Sequence, residues 1–252
     1  MKVLLIGGSG TLGTEMQQQL KGYGASIISV DAPSHKELDI CNIKTIIPYV
    51  QKKYDKIILL AGEKNQTIIE LDSYHALRTN IQGVANVVEA LQISGSPVQL
   101  VFISSGYVYK GNTRYHKEDE GVYPCSKYAW SKLGGECVIR MLDEKHHLIV
   151  RCEFSKQPWH RDWACTDQFT SREEIGIIAN KILSLITLNA YGTYNVGGKR
   201  KSVYQYAKSL VQNKKVSKCK MKDFATVPLP HDSSLNTRKY NRFMEEKNGK
   251  TA

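Results

Sequence analysis

No stretch of the 252-residue chain stays apolar for the roughly 18 residues that a membrane-spanning helix needs, so no span is expected. The N-terminal apolar run, Val3 to Ile6, ends after four residues at Gly7 and Gly8, too short for the core of a signal peptide; a cytoplasmic protein is expected. Six cysteines (Cys41, Cys125, Cys137, Cys152, Cys165 and Cys219) form no Cys-x-x-Cys pair and have no histidine at ligand spacing. That pattern excludes a zinc-finger signature and a disulfide framework; the cysteines read as reduced thiols, and no metal site is expected. Acidic residues are outnumbered by basic ones, 24 to 35, giving a net charge of +11. The lysines are nonetheless scattered and gather toward the end (Lys214, Lys215, Lys218, Lys220, Lys222), and no nucleic-acid-binding motif accompanies them. The charge therefore reads as a solvated face able to attract an anionic, pyrophosphate-bearing substrate, with no nucleic-acid partner.

What is present is an alternation of short β-rich apolar runs with helical stretches, the pattern of βαβ units. Strands are predicted at 2–6, 26–30, 56–60, 98–104 and 147–151, and helices at 12–21, 43–53, 73–93 and 126–142. Right-handed crossovers then give an α/β fold, a Rossmann-type doubly wound parallel sheet with the strands' carboxyl ends on one edge. After Arg151 the rhythm breaks: 155–169 is polar and aromatic, with Trp159, His160, Arg161 and Trp163, and reads as a substrate-side loop. A helix at 173–188, a strand at 193–196, a helix at 203–212 and a basic tail, frayed from about Tyr240, complete the chain. The expected division is a dinucleotide-binding domain over 1–152, a small C-terminal substrate-binding portion over 153–240 interleaved with it, and a charged tail over 241–252.

The first strand runs straight into Gly7-Gly8-Ser9-Gly10-Thr11-Leu12-Gly13 and then a helix, and Asp31 ends the next strand. Glycines there let the chain turn tightly and let backbone N–H groups approach a pyrophosphate at a helix N-terminus. Gly7, Gly10, Thr11, Leu12 and Gly13 are thus candidate cofactor contacts. A carboxylate at Asp31 would accept the adenosine ribose hydroxyls and repel a 2′-phosphate, so NAD(H) is the preferred cofactor; His35 and Lys36 keep NADP(H) possible. Carbonyl reduction also needs a proton donor, and a tyrosine followed by a lysine four residues later on a helix can serve. Two such pairs occur, Tyr123 with Lys127 and Tyr128 with Lys132, and spacing alone does not choose between them.

The spacing Gly7-x-x-Gly10-x-x-Gly13, with Ser131-Lys132-Leu133-Gly134-Gly135-Glu136 after the second tyrosine, resembles the extended short-chain dehydrogenase/reductase family. The resemblance implies that Tyr128, Lys132 and Ser105 are the catalytic set, with Tyr128 and Lys132 also meeting the cofactor and Ser104 structural. It further implies Asp39, Ile40, Ala61 and Gly62 around the adenosine, Asn80 as a brace beside the site, and a homodimer. Ser105-Gly106-Tyr107-Val108-Tyr109-Lys110-Gly111 resembles the Ser/Thr-Asp-Tyr-Val-Phe-Asp-Gly of the dTDP-4-dehydrorhamnose reductase branch, with Gly106 and Lys110 in place of two aspartates. Asp167-Gln168-Phe169-Thr170-Ser171 resembles that branch's Asp-Gln-Phe/Tyr-Gly, and Leu235 to Lys239 its C-terminal Leu-x-x-x-Lys. This branch implies NAD(P)H-dependent reduction of a nucleotide-linked 4-keto-6-deoxy sugar. The segment between Arg151 and Asp167 is shorter than the branch's, so two alternatives stand beside reduction: a nucleotide-sugar 4-epimerase, and a non-catalytic dinucleotide-binding regulatory protein.

Overall fold

The computed structural model describes residues 1–24, 26–155, 158–211 and 214–249. In chain order the elements are β1 (Lys2–Ile6), α1 (Thr11–Lys21), β2 (Ser29–Asp31), α2 (Ile43–Val50), β3 (Lys56–Leu59), α3 (Gln66–Leu71), α4 (Tyr74–Ala76), a π-helical stretch (Leu77–Gly83), α5 (Val84–Ser94), β4 (Gln99–Ser105), α6 (Lys127–Ile139) and β5 (His147–Cys152). There follow β6 (Phe154–Ser155), β7 (Trp163–Cys165), β8 (Phe169–Thr170), β9 (Glu173–Glu174), α7 (Ile175–Thr187), β10 (Gly192–Val196), β11 (Lys201–Ser202), α8 (Val203–Ser209), β12 (Ser217–Cys219), α9 (Met221–Phe224) and α10 (Arg238–Asn248).

Six strands make one sheet in the order β10-β5-β4-β3-β1-β2, every pair parallel. Strands covered on both faces carry unbroken apolar runs, which is why β3, β4 and β5 are buried along their whole length. One face packs on α1 and α7 through Leu12, Met16, Leu20, Ile178, Ile182 and Ile186. The other packs on α2, α5 and α6 through Ile46, Val50, Val84, Val87, Leu91 and Ile139. The order reverses between β1 and β3, and in such sheets the crevice at the carboxyl ends of those strands is where ligands bind.

The second half of the chain folds around this edge through three two-stranded ladders, β6 with β9, β7 with β12 and β8 with β11. A small separate core of Trp159, Ala164, Val203, Tyr206, Ala207, Leu210 and Val216 holds it together. Trp159 is thus an anchor: it is buried, meets Tyr206 edge-on and donates from Nε1 to the Trp163 carbonyl at 3.3 Å.

Several expectations need correction. The second strand begins at Ser29 and not at 26, because Ile27 and Ile28 both donate to the Gly24 carbonyl in a turn and Ile27 faces solvent. The helix expected at 73–93 contains the π-helical stretch Leu77–Gly83, and the second helix stops at Val50. The polar loop 155–169 includes the strand Trp163–Cys165, whose partner lies more than 50 residues onward. The tail expected to fray is helical: Tyr240 and Phe243 pack on the sheet's core, Phe243 meets Tyr194 edge-on, and Lys239 Nζ donates to the Thr193 carbonyl at 2.9 Å. Its charge density hides two aromatics at helical i, i+3 spacing. Residues 156–157 of the predicted loop, Gln212 of the predicted helix and the last three residues of the tail lie outside the described residues. All six cysteines carry free thiols, Cys165 and Cys219 with their sulfurs 3.2 Å apart. No helix among the described residues is long and apolar enough to cross a membrane, and none of their acidic, histidine and cysteine side chains group as metal ligands.

Candidate active site

The loop after β1 is shaped by contacts only glycine allows. Gly7 has φ +87°, and a Cβ on it would come within 2.5 Å of the Ala61 nitrogen; one on Gly13 would come within 2.6 Å of the Gly8 carbonyl oxygen. Gly10 caps α1 without a side-chain hydrogen bond, and the first turn of α1 has no acidic residue, so its backbone N–H groups are left for an anion. Lys64 reaches across, its Nζ 3.1 Å from Thr11 Oγ1. This lysine was not anticipated from the sequence, although it lies two residues beyond the predicted Ala61-Gly62 loop.

A cavity of about 450 Å³ opens over this loop and is lined by Gly7, Gly10, Thr11, Leu12, Gly13, Ala61 and Gly62 at one end and Ser105, Tyr128 and Lys132 at the other. Ser105 ends β4 and caps the following turn, its Oγ accepting from Tyr107 N at 3.2 Å. Ser104 points elsewhere, donating to Glu136 Oε1 at 2.5 Å; Glu136 is in turn paired with Arg151 at 2.7 Å. Ser126 caps α6 by accepting from Ala129 N, which places Tyr128 and Lys132 one turn apart on a buried helix face. The competing pair lies outside: Tyr123 is exposed against Trp130, and Lys127 is tied to Glu70.

Burial pushes the Tyr128 hydroxyl above its ordinary pKa; its hydrogen bond with Ser105 opposes this, and Cys152, Tyr107 and Glu153 reinforce it. That is the reverse of the direction expected from a lysine four residues away. Burial also pulls Lys132 down, to about 8, against the nearby Glu136 and Cys152, and its Nζ lies 4.3 Å from the centre of the Phe102 ring.

Other predicted contacts lie outside that lining. Asn80, on the π-helical stretch, is a buried brace: its Oδ1 accepts from Glu63 N at 2.8 Å and its Nδ2 donates to the Glu63 carbonyl and to Ser131 Oγ. Ile40 is packed in the core against Gly83, and Asp39 closes its own turn by accepting from Cys41 N. Asp31, at the end of β2, accepts from the Tyr54 hydroxyl and lies 3.6 Å from Lys52 Nζ.

A second cavity of about 530 Å³ adjoins the first, lined by Trp159, His160, Arg161 and Trp163 with Met221 and Val227. Lys64, Gln66, Tyr107 and Arg172 line both cavities, so these four mark the seam between them. Glu153 and Arg172 were not picked out from the sequence; the usable signal was that Glu153 directly follows β5 at the carboxyl edge of the sheet.

Residues 1–155 match the family described as RmlD substrate binding domain. Among curated proteins, the chain is similar to the spore coat polysaccharide biosynthesis protein SpsK of Bacillus subtilis (strain 168), 31% identical over 153 residues, or 60% of this chain and 52% of that protein. It is also similar to methionine adenosyltransferase 2 subunit beta of Xenopus tropicalis, 26% identical over 143 residues, 55% of this chain and 42% of that one. The chain thus spans about half the length of these relatives. Among solved structures, a dTDP-4-dehydrorhamnose reductase from Bacillus anthracis in complex with NADP superposes with a TM-score of 0.85 at 25% identity, over 98% of this chain and 92% of that one.

Proposed function

The chain belongs to the RmlD substrate binding domain family, and from that premise we propose that it catalyses NAD(P)H-dependent reduction of a nucleotide-linked 4-keto-6-deoxy sugar. The observation that carries the reading is one cavity lined at one end by the glycine loop and at the other by Ser105, Tyr128 and Lys132, opening at Tyr107 and Arg172 onto a second cavity large enough for a sugar nucleotide. The glycine cradle fits a dinucleotide: added Cβ atoms at Gly7 and Gly13 would collide with backbone, and the α1 N-terminus offers N–H groups to the pyrophosphate. When bound, the reduced dinucleotide supplies the hydride.

The chain's own residues handle the oxygen. Ser105 donates to the substrate carbonyl, and Tyr128, whose raised pKa keeps it protonated at neutral pH, delivers the proton as the alkoxide develops. Lys132 adds positive charge beside the nicotinamide ribose, at a pKa low enough to shuttle a proton near neutrality. NAD(H) is proposed as the preferred cofactor because Asp31 disfavours a 2′-phosphate, although Lys52 beside it softens that preference. The same reading takes the protein as cytoplasmic and as a homodimer; the exposed Leu71, Tyr74, Leu77 and Trp130 on the helices following β3 and β4 support the latter.

The test is NADH or NADPH oxidation with a dTDP- or UDP-linked 4-keto-6-deoxy hexose. Turnover lost in Tyr128→Phe and kept in Tyr123→Phe is expected; dinucleotide binding without any turnover contradicts the reading. That second outcome favours a regulatory role, to which the likeness to methionine adenosyltransferase 2 subunit beta lends support.

A further inference from the structure

The seam between the two cavities holds a charged pair that the reduction itself does not use. Glu153 directly follows β5, and its buried carboxylate accepts at Oε2 from Thr170 Oγ1 at 3.1 Å and from Arg172 Nη2 at 3.2 Å. The same Nη2 lies 3.3 Å from the Tyr107 hydroxyl, and Arg172 N donates to Thr170 Oγ1 at 2.9 Å. Gly106 makes room for the pair, since a Cβ there would come within 2.9 Å of Glu153 Oε1. The arrangement thus draws together two of the motif positions where this sequence departs from the branch it resembles: glycine for aspartate at 106, and threonine for glycine at 170. A carboxylate absent from the first position is supplied from 153.

Arg172 is only partly buried, lines both cavities, and keeps a buried Nε with no partner among the described residues. Its guanidinium therefore stands where a sugar held in the second cavity would meet the first. Burial pushes the Glu153 carboxyl above its ordinary value, while Arg172, Ser233 and Thr170 hold it down. The guanidinium in contact at 3.2 Å makes Glu153 the arginine's counter-charge. A sugar hydroxyl or keto oxygen can accept from such a neutralised guanidinium at no electrostatic cost. A second carboxylate there would meet Glu153 in a poorly screened environment.

Resting on the sugar-nucleotide reading of this site, we propose that Arg172 contacts the sugar and that Glu153, as its positioning residue and counter-charge, selects an uncharged hexosyl group over a hexuronosyl group. The pair acts on recognition and leaves the proton delivery of Tyr128 untouched.

The test is binding, measured calorimetrically on the full chain saturated with oxidised dinucleotide, of dTDP-glucose against dTDP-glucuronate and of UDP-glucose against UDP-glucuronate. For whichever nucleotide binds, the uncharged sugar is expected to bind about 10-fold tighter or more, a difference within the cost of one like-charge contact. Glu153→Gln is expected to abolish or invert that ratio, which a purely structural role would leave unchanged, and Arg172→Gln to weaken the uncharged sugar by about 10-fold or more. Should Glu153→Gln not fold, the wild-type ratio and Arg172→Gln still decide. Equal affinities, a preference for the uronate, or no binding by any of the four ligands overturns the proposal. Absence of NAD(P)H oxidation with the preference intact would instead count against the reductase reading alone.

Discussion

Along β3, β4 and β5 every residue is buried beneath helices on both faces, whereas β6, β8, β9 and β11 are two-residue strands, each paired with only one other short strand. The first region keeps the glycine loop, Ser105, Tyr128 and Lys132 on rigid elements; the second closes over them through one small core around Trp159 and Tyr206. The contrast teaches that the cavity over the glycine loop and the cavity beside Trp159 rest on separate cores.

The sharpest way to break that separation is to empty the small core. Trp159→Ala is expected to cost about 3–5 kcal/mol, as deletion of a buried tryptophan does, and to weaken sugar-nucleotide binding while leaving dinucleotide affinity unchanged; parallel calorimetric titrations with the two ligands check this. A loss of both affinities together would show one cooperative unit.

A second test concerns a charge buried in the rigid half. Lys132 titrates at about 8 in the folded chain against 10.5 when free, so between these values the unfolded chain holds a proton that the folded one has released. Stability should consequently rise with pH across that window, by on the order of 3 kcal/mol, with the full burial penalty present below it. Urea unfolding of wild type and Lys132→Met at a series of pH values measures the difference, and only wild type should carry this contribution. A smaller effect is expected at the edge strand, where Phe243→Ala removes a half-buried contact to Tyr194 and should lower stability by about 1 kcal/mol, with no change in either ligand's affinity.

The sheet was largely legible in the sequence because β1, β3, β4 and β5 are local apolar runs, and β1 with its glycine loop could be placed to the residue. The helix carrying Tyr128 and Lys132 was legible in the sequence, and the run from Ser131 to Glu136 singled out Tyr128 as the candidate; spacing alone could not dismiss Tyr123, whose exposure only the packing reveals. Asp39 and Ile40 lie outside the cavity's lining, one accepting from Cys41 N in its own turn and the other packed in the core. The π-helical stretch carrying Asn80 was invisible, because its apolar spacing still approximates an α-helix. Strands β7 and β12 escaped because three residues have no period, and their pairing is set by tertiary contact. Glu153 and Arg172, 19 residues apart and on different elements, have no sequence spacing that announces them.

The central claim is that Tyr128 gives the proton in a dinucleotide-dependent reduction, and the most direct measurement is single-turnover NAD(P)H oxidation by wild type and Tyr128→Phe at saturating keto-sugar nucleotide. The account predicts a rate loss of about 10²–10⁴-fold, the range for removal of a general acid, with dinucleotide affinity retained; an unchanged rate in Tyr128→Phe would contradict it.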